Sequence, residues 1–405
     1  MEFLISIILC LASAVAGHRP IHNVLNYGAM GDGNTDDTQA FLKTWKAACG
    51  DHNGSVLLVT GKGTRKYLLG KIEFTGPCLS DVNFQIDGEL VAPNKLWTNE
   101  IDTWIQFRNV PGISVYGHGS IDGRGFIWWN CLSKNQCRYA PYTMEFMGCN
   151  GLKVNGLSFK DSPGKHLVVY KSNDSILTGL HITAPEDSPN TDGILISDSQ
   201  HVIITQSTIG VGDDCIAIGP RCYDVNVSNI NCGPRSWHKT EITSSSSLCS
   251  IGSLGENGAE DIVEHIHVSD CNISNTLTGV RIKTWQACEG GAGHAKFLSY
   301  SNINFNSVRG SIIVLDQYYC PHSTCPNKTG NVAISDVSYK GLHGSSTSDV
   351  AIKLACSSSV PCHGITMDEV SFFSTNANHP LLSYCINAVG SSTGNVRPDV
   401  PCLQR

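Results

Sequence analysis

Alternating apolar and polar residues recur along the chain from about residue 105, in short segments of the form V-x-I-x-x-x-x-I. Examples are "GISVYGHGSIDGRG", "GLKVNGLSFKDS" and "DVNVSNINCGP". Alternation places the apolar side chains on one face of a strand, and the intervening Gly, Asn, Asp and Ser favour turns. The segments recur at roughly 21–30 residues, which is the range of stacked solenoid coils. The pattern predicts an all-β, single-domain, right-handed parallel β-helix. The alternative is a β-sandwich, whose strands have no such repeat.

One segment has the period of an amphipathic helix instead, "TDDTQAFLKTWKAAC" at 35–49. We expect Thr35 or Asp36 to cap its N-terminus. The residues predicted to line its apolar face are Ala40, Phe41, Trp45 and Ala48. Because an open solenoid end exposes an unpaired strand edge, the helix is predicted to cover the N-terminal end.

The N-terminus, "MEFLISIILCLASAVAGHRP", combines a short apolar run with the small-x-small sequence Ala14-Val15-Ala16. This is typical of a secretory signal peptide over residues 1–16, which leaves 17–405 as the mature β-helix domain. The apolar run is too short to span a bilayer, so we expect no membrane partner. The net charge of −7, without a basic block, argues against a nucleic acid partner.

The 18 cysteines are expected to form mostly disulfides in a secreted chain. Short spacings favour the local pairs Cys131/Cys137, Cys320/Cys325 and Cys356/Cys362. If Cys10 leaves with the signal, at least one thiol stays unpaired, and Cys249 is the first candidate because its segment is irregular. The sequence has no CxxC metal-ligand spacing. The N-x-S/T sequons that fit a glycosylated surface are Asn53, Asn173, Asn226, Asn272 and Asn327.

Three carboxylates are the candidate catalytic groups. "SPNTDGI" places Asn190 and Asp192 two residues apart, and hence on one strand face. "VGDDCIAIG" places Asp213 and Asp214 about one coil later, and coils stack at about 4.8 Å. Such crowding raises at least one carboxyl pKa, as a general acid requires. Adjacent aspartates reach one cleft only across a turn or bulge, which Gly212 permits; turn formation alone is the competing explanation.

Two cations follow on a later strand. "GVRIKTW" places Arg281 and Lys283 on one face, an arrangement that suits an anionic substrate, although a solvated basic pair is the alternative. "LDQYYC" offers Tyr318 and Tyr319, of which alternation lets only one face the same side. A tyrosine there can form a stacking platform for a sugar ring, or it can simply pack.

The motifs NTDG (190–193), GDDC (212–215) and RIK (281–283) occur in order, together with an altered G-H-G region. In these motifs the chain resembles the plant polygalacturonases of glycoside hydrolase family 28, over nearly the whole mature length. The resemblance implies a right-handed parallel β-helix that hydrolyses α-1,4-galacturonosyl bonds of pectin with inversion and without a metal or other cofactor. It also implies a monomer secreted to the extracellular space and cell wall.

By the same resemblance, Asp213 corresponds to the general acid, and Asp192 and Asp214 correspond to the pair that activates water. Inversion requires carboxylates roughly 6.5–9.5 Å apart, which stacked coils can supply. The residues that correspond to substrate-binding positions are Asn190, Arg281, Lys283 and Tyr319. A disulfide between Cys215 and Cys232 is also implied.

The segment 235–250 departs from the family pattern C-G-P-G-H-G-I-S-I-G-S-L-G. Sixteen residues separate Pro234 from Ile251, where the pattern has five. Counted from Pro234, the histidine falls at position 236, which is Ser, and His238 comes two residues late without flanking glycines. Loss of that histidine predicts a rate lower by about 10²–10⁴-fold, with the coils resuming by "EHIHVSDCNIS". We therefore expect either an impaired hydrolase or a protein that binds pectin without cleaving it.

The codons that can encode this segment suggest how it arose. Arg-Ser-Trp-His-Lys can be written so that the frame shifted by one base reads Gly-His-Gly-Ile. Four serines followed by Leu-Cys can be written as a pyrimidine tract ending in CAG, the form of a splice acceptor. A frame slip at Pro234 with translated intron up to Ile251 is one explanation, and a real loop insertion is the other, since solenoids tolerate insertions at turns.

Cleavage of rhamnogalacturonan is a third possible function besides pectin hydrolysis and pectin binding. Arg281 and Lys283 argue against it, because they suit a galacturonate at the cleavage point.

Overall fold

The computed structural model describes the following residues: 19–98, 100–233, 247–286, 291–320, 332–376 and 380–404. The predicted signal peptide at 1–16 lies outside them. Throughout the described residues the strand pairs are parallel, for example Leu167–Ile194, Ile194–Ile216 and Val280–Ile313. The chain is a right-handed parallel β-helix, which confirms the predicted fold class.

The strands described, in chain order, are β1 (Ile21–Asn23), β2 (Asp32–Asp36), β3 (Ser55–Val59), β4 (Lys66–Leu68), β5 (Ile72–Thr75), β6 (Val82–Ile86), β7 (Glu89–Val91), β8 (Thr103–Arg108), β9 (Ser114–Tyr116), β10 (Ser120–Asp122), β11 (Tyr142–Met147), β12 (Lys153–Asn155), β13 (Ser158–Lys160), β14 (Leu167–Tyr170), β15 (Ser175–Thr178), β16 (His181–Thr183), β17 (Ile194–Ser197), β18 (Gln200–Gly210), β19 (Ile216–Ile218), β20 (Cys222–Cys232), β21 (Cys249–Leu254), β22 (Glu260–Ser274), β23 (Val280–Trp285), β24 (Ala292–Val308), β25 (Ile313–Tyr319), β26 (Ala333–Ser346), β27 (Val350–Ala355), β28 (Cys362–Ser374), β29 (Leu382–Ile386), β30 (Ala388–Arg397) and β31 (Leu403–Gln404). The helices described are α1 (Thr38–Cys49), α2 (Phe126–Ser133) and two short 3₁₀ turns at Val24–Tyr27 and Glu256–Gly258.

Within the described residues these strands form a 20-stranded and an 11-stranded sheet. The smaller sheet takes one strand from each successive coil, in the order β5, β8, β11, β14, β17, β19, β21, β23, β25, β27 and β29. Equivalent positions of neighbouring coils therefore stack on one another, and side chains far apart in sequence line a common face. We call this 11-stranded sheet the site sheet.

The interior is filled by stacked apolar side chains. Along the site sheet one such row is formed, in register, by Ile194, Ile216, Cys249, Val280 and Ile313. All five side chains are buried. Burying an aliphatic side chain of this size stabilises the fold by about 1.5–3 kcal/mol, so the row holds consecutive coils together.

Helix α1 begins at Thr38 and has Asp37 at its N-cap position rather than the predicted Thr35 or Asp36, although the Asp36 carboxylate does accept the N–H of Thr38 at 3.0 Å. Thr35 and Asp36 belong to β2, and Thr35 is held there by hydrogen bonds from its N–H and hydroxyl to the Asp32 carboxylate. The N-cap position is Asp37, whose carboxylate accepts from the N–H of Met30 and Gly31 instead. This contact with the turn before β2 engages the Asp37 carboxylate, which makes no side-chain hydrogen bond to the helix.

The predicted apolar face of α1 is confirmed. The buried residues of the helix are Ala40, Phe41, Thr44, Trp45 and Ala48. The Trp45 ring packs 5.2 Å from Phe74 and 6.1 Å from Phe107, between centroids, inside the first coils. The helix therefore covers the N-terminal end of the coil interior.

The cysteines largely follow the expected pairing. The bridges observed are Cys49–Cys78, Cys131–Cys137, Cys215–Cys232, Cys356–Cys362 and Cys385–Cys402. Cys320 is also disulfide-bonded, while its predicted partner Cys325 lies outside the described residues. The free thiols among the described residues are Cys149, Cys222, Cys249 and Cys271, all buried. Cys249 was predicted to be free, and the other three pack in the interior like small apolar residues.

In the part of the chain that the structure describes, no helix is long and apolar enough to cross a membrane.

Candidate active site

The three candidate carboxylates lie on connections that lead into the site sheet, not on strands. Asp192 comes two residues before β17, and Asp213 and Asp214 lie between β18 and β19. The expectation that Asn190 and Asp192 share a strand face is therefore wrong, because Asn190 sits in a turn with φ of 55°. The turn expected at Gly212 is present. Because of this turn, the adjacent side chains of Asp213 and Asp214 need not point to opposite faces, as they would on a regular strand.

Two neighbouring coils bring these connections together. The N–H of Gly193 donates to the C=O of Asp214 at 2.9 Å, and the N–H of Gly212 donates to Thr191 Oγ1 at 3.0 Å. Gly212 has no room for a side chain, since a Cβ would lie 2.1 Å from the C=O of Ser188. The expected juxtaposition of Asp192 with the Asp213–Asp214 pair is thus present in the structure.

Asp192 is buried and ion-paired. Its carboxylate is 2.5 Å from Nζ of Lys165, and the exposed fractions of the two side chains are 7% and 19%. Burial raises the pKa of Asp192 well above its ordinary value; the Lys165 ammonium opposes this shift, and the charges of Asp213 and Asp214 add to it. Lys165 was not among the predicted site residues, because "SPGKHL" is not part of any of the quoted motifs.

His166 fixes the main chain at Asp192. Its N–H and its ring Nδ1 both lie 2.9 Å from the C=O of Asp192. Nε2 lies 3.3 Å from both the N–H of Ser162 and the C=O of Thr183, so both ring nitrogens of the neutral imidazole are engaged. Burial lowers the pKa of His166 to about 4, which keeps the ring in this neutral form near neutral pH.

Asp214 is held by a different lysine and by a serine. The hydroxyl of Ser247 donates to Oδ1 of Asp214 at 2.5 Å, and Nζ of Lys283 lies 3.4 Å from Oδ2. The Asp214 side chain is 3% exposed. Asp213 is the least buried of the three carboxylates, and its Oδ1 accepts the N–H of Asp214 at 2.9 Å.

Ser247 comes from the irregular segment, whose residues 234–246 lie outside the described part. The coil resumes at Ser247, where the N–H of Cys215 donates to its C=O at 2.8 Å, four residues earlier than the expected return at Ile251. Counted back from "SIGSLG" at 250–255, the histidine of the family pattern falls at position 247. Position 236 and His238, considered above, are not described.

The irregular segment leaves the coil around Cys232 undisturbed. Its disulfide with Cys215 is formed, and β20 pairs with β22 from Cys222 opposite Val263 to Cys232 opposite Ile273. The insertion is accommodated between Gly233 and Ser247, so the coils on either side keep their register.

Arg281 and Lys283 emerge from the same face of β23, as alternation predicts. The ring of Tyr319 contacts both cations: its centroid is 5.1 Å from the Arg281 guanidinium carbon and 5.5 Å from Nζ of Lys283. Tyr318 turns away, and its hydroxyl donates to the C=O of Cys356 at 3.3 Å. Of the two tyrosines, the structure brings Tyr319 to the cationic pair.

An open cleft of about 850 Å³ adjoins the carboxylates. Asn190, Gly212 and Asp213 line one side, and helix α2 lines the other, where Phe126 is 73% exposed. Helix α2 was not predicted from the sequence, because it has eight residues and no clear amphipathic period. The run of aromatic residues in "FIWWN" was the available signal.

The chain is similar to known glycoside hydrolases. The family described as "Glycosyl hydrolases family 28" matches residues 49–388. A polygalacturonase of Malus domestica is 39% identical over 388 residues, which cover 93% of this chain and 78% of the relative. An exopolygalacturonase of Zea mays is 35% identical over 381 residues, 92% of this chain and 88% of the relative. The crystal structure of endo-xylogalacturonan hydrolase from Aspergillus tubingensis has the same fold, with a TM-score of 0.74 at 21% identity over 92% of this chain and all of that one.

Proposed function

The chain belongs to glycosyl hydrolase family 28, and we propose that the carboxylate cluster at the edge of its site sheet performs the hydrolysis. The relatives identify the chain as a glycoside hydrolase of the polygalacturonase type that acts on pectin. One observation supports the location of the chemistry: two buried carboxylates, Asp192 and Asp214, each carry a lysine ammonium and lie beside the more exposed Asp213.

In the proposed mechanism, Asp213 is the general acid. Its carboxyl proton passes to the glycosidic oxygen as the bond from that oxygen to the anomeric carbon breaks, and the bonding electrons stay with the leaving oxygen. A water held by Asp192 and Asp214 attacks the anomeric carbon from the opposite face and gives a proton to the carboxylate pair. The product has inverted configuration, and exchange with solvent returns the proton to Asp213.

The cationic side of the site provides recognition. Arg281 and Lys283 are proposed to bind the carboxylate of a galacturonosyl unit, since charge-assisted hydrogen bonds from cations select anions. Tyr319, which lies against both cations, offers a ring to the sugar. Asn190, at the cleft beside Asp213, is proposed to orient the substrate.

The protein is proposed to act as a secreted monomer on homogalacturonan in the cell wall. The signal-like N-terminus and the disulfides support this location, because disulfides persist in oxidising compartments.

The test is turnover of polygalacturonate by the secreted protein, measured as new reducing ends, with Asp213→Asn as the inactive control. Proton NMR of the first product decides the stereochemistry, since inversion of an α-linkage releases the β-anomer. Absence of turnover above Asp213→Asn would overturn the hydrolase assignment for this chain.

Pectin binding without cleavage is the second candidate, and one observation favours it. Ser247 stands at the position to which the family pattern, counted from its C-terminal side, assigns the histidine. A serine hydroxyl does not exchange a proton near neutral pH as an imidazole does. Retained affinity for polygalacturonate, measured by calorimetry on a protein without turnover, would establish this alternative.

A further inference from the structure

Lys165 is a cation of the site to which the mechanism above gives no role. It lies on the connection between β13 and β14, where its C=O accepts from the N–H of Thr143 at 2.9 Å and from Oγ of Ser162 at 2.8 Å. The main chain is thus fixed on two sides, and the side chain runs to Asp192 with Nζ 2.5 Å from Oδ1. Because lysine is seldom buried without a partner, the contact defines where this ammonium resides.

Lys165 contacts Asp192, the carboxylate whose ionised form most requires a positive charge beside it. Asp192 is buried, and the charges of two further carboxylates, Asp213 and Asp214, also raise its pKa. Burial disfavours the ammonium of Lys165 as well, but the charges of Asp192 and Asp213 outweigh burial and raise the pKa of Lys165. Lys165 therefore stays protonated throughout the pH range in which Asp192 ionises.

We propose that Lys165 is a positioning residue for the reaction: its ammonium favours the ionised form of Asp192 and holds Oδ1 in place, so that Asp192 can take the proton of the attacking water. This inference rests on the proposed function, in which Asp192 is part of the base. Without the ammonium, burial and the charges of Asp213 and Asp214 would favour the protonated form of Asp192 further, and the base would be lost.

Other groups around this pair also set its charge. Those acting on Asp192 or Lys165 from neighbouring elements are Tyr142 on β11, His166 on the adjoining connection, and Asp213 and Asp214 with Lys283 behind them; Glu145, also on β11, acts on Tyr142. Burial raises the pKa of Tyr142, so its phenol is neutral in the working range. Glu145 is engaged by Thr103 and Gln106, which donate to its Oε2 at 3.0 and 2.6 Å. None of these groups replaces the direct contact of Lys165.

The first experiment measures kcat/KM on polygalacturonate against pH for the full chain and for Lys165→Met, which keeps the length of the side chain and removes its charge. The acid limb of the profile, where the base becomes protonated, is expected to move upward by about 1–3 pH units. At a pH on the original limb, kcat is expected to fall at least about tenfold, with KM changed by less than about twofold. An unmoved acid limb, with kcat lowered equally at every pH, would show a packing role and overturn the inference.

Two further variants sharpen the test. Lys165→Arg keeps a positive charge and is expected to restore the position of the acid limb, whatever it costs in rate. Lys296→Met removes a lysine that pairs with Glu264 at 3.0 Å on the larger sheet, and is expected to leave the profile unchanged. An equal shift in Lys296→Met would mean that any lost lysine moves the profile, and it would refute a specific role for Lys165.

A second measurement does not depend on activity. In protein labelled with ¹³C at the aspartate carboxyl carbon, the Asp192 signal is identified by its loss in Asp192→Asn. Lys165→Met, or Lys165→Gln if the methionine variant does not fold, is expected to move the titration of this signal upward by about 1–3 pH units. An unchanged titration overturns the inference. If the unaltered chain shows no turnover, the proposed hydrolysis fails, while this titration still decides whether Lys165 holds Asp192 ionised.

Discussion

The hydroxyl of Ser247 and the carboxylate of Asp214 lie 2.5 Å apart, although 33 residues separate them in the chain. The contact joins the last of the four consecutive serines of the irregular segment to a buried carboxylate of the site, and Lys283 holds the other carboxylate oxygen. The segment that looked least like part of the β-helix therefore supplies a hydrogen-bond donor to its candidate active site.

Replacing Ser247 by Ala is expected to lower kcat by about 10–100-fold, because a hydrogen bond to a buried charge contributes about 1.5–3 kcal/mol. KM should change by less than about twofold, since Ser247 contacts Asp214 rather than the cationic side. Steady-state kinetics on polygalacturonate measure both constants.

The matched control for this variant is Ser250→Ala. Ser250 lies three residues further along, is also buried, and its hydroxyl has no hydrogen-bond partner among the described residues. Its removal is expected to leave kcat within about twofold. Equal losses in the two alanine variants would contradict a specific role for the Ser247–Asp214 contact.

The sequence predicted the repeat, the parallel β-helix and the grouping of the aspartates, because period-two alternation and coil spacing are properties of the local chain. It did not predict Lys165 or the position of Ser247. Lys165 reaches Asp192 across 27 residues, and Ser247 reaches Asp214 across 33, so both contacts depend on how one coil stacks on the next.

Two predictions that the structure contradicts, the strand face of Asn190 and the cap of α1, failed because of local backbone turns. Asn190 and Asp192 were assigned to one strand face on a spacing of two, but φ of 55° at Asn190 places it in a turn. The cap of α1 was expected at Thr35 or Asp36, but the N-cap position is Asp37, whose carboxylate holds the backbone turn at Met30. In both cases a specific backbone turn, which periodicity does not describe, overrode the local pattern.

Replacing Arg281 and replacing Lys283 are expected to have different effects on kcat and KM. Arg281→Leu should raise KM by about tenfold or more with little change in kcat, since it removes a charge-assisted contact to substrate. Lys283→Met should raise KM and also lower kcat, because Lys283 is 3.4 Å from Asp214. Kinetics on polygalacturonate separate the two constants.

The same two variants can be compared on methyl-esterified pectin, whose uronosyl units carry no charge. The increase in KM should be much smaller on this substrate, while the loss of kcat in Lys283→Met should persist. An increase in KM of the same size on both substrates would show that the cations do not recognise the sugar carboxylate.

Phe126 is expected to contribute to substrate affinity. Its ring is 73% exposed on α2 and lines the cleft beside Asp213, where a sugar ring can stack on it. Phe126→Ala should raise KM by about 2–10-fold, from about 0.5–1.5 kcal/mol of aromatic contact, and leave kcat nearly unchanged. Phe373→Ala is the control, because Phe373 is 63% exposed on β28 of the larger sheet. Equal KM values for the two variants would exclude stacking at Phe126.

His166 is expected to make the stability of the fold depend on pH. Burial lowers its pKa to about 4, so the neutral ring stabilises the folded protein fully above its ordinary pKa of 6.5. This contribution is lost as pH falls from about 6.5 through 4, because the unfolded chain then binds a proton that the buried ring does not accept. At 1.36 kcal/mol per pH unit the loss is about 3 kcal/mol.

Urea unfolding of the unaltered chain and of His166→Asn at several pH values measures this loss of stability. His166→Asn should be the less stable protein at pH 7, and the difference in free energy of unfolding should shrink by about 3 kcal/mol on acidification. A difference that stays constant between pH 7 and pH 4 would show that protonation of His166 does not contribute to acid unfolding.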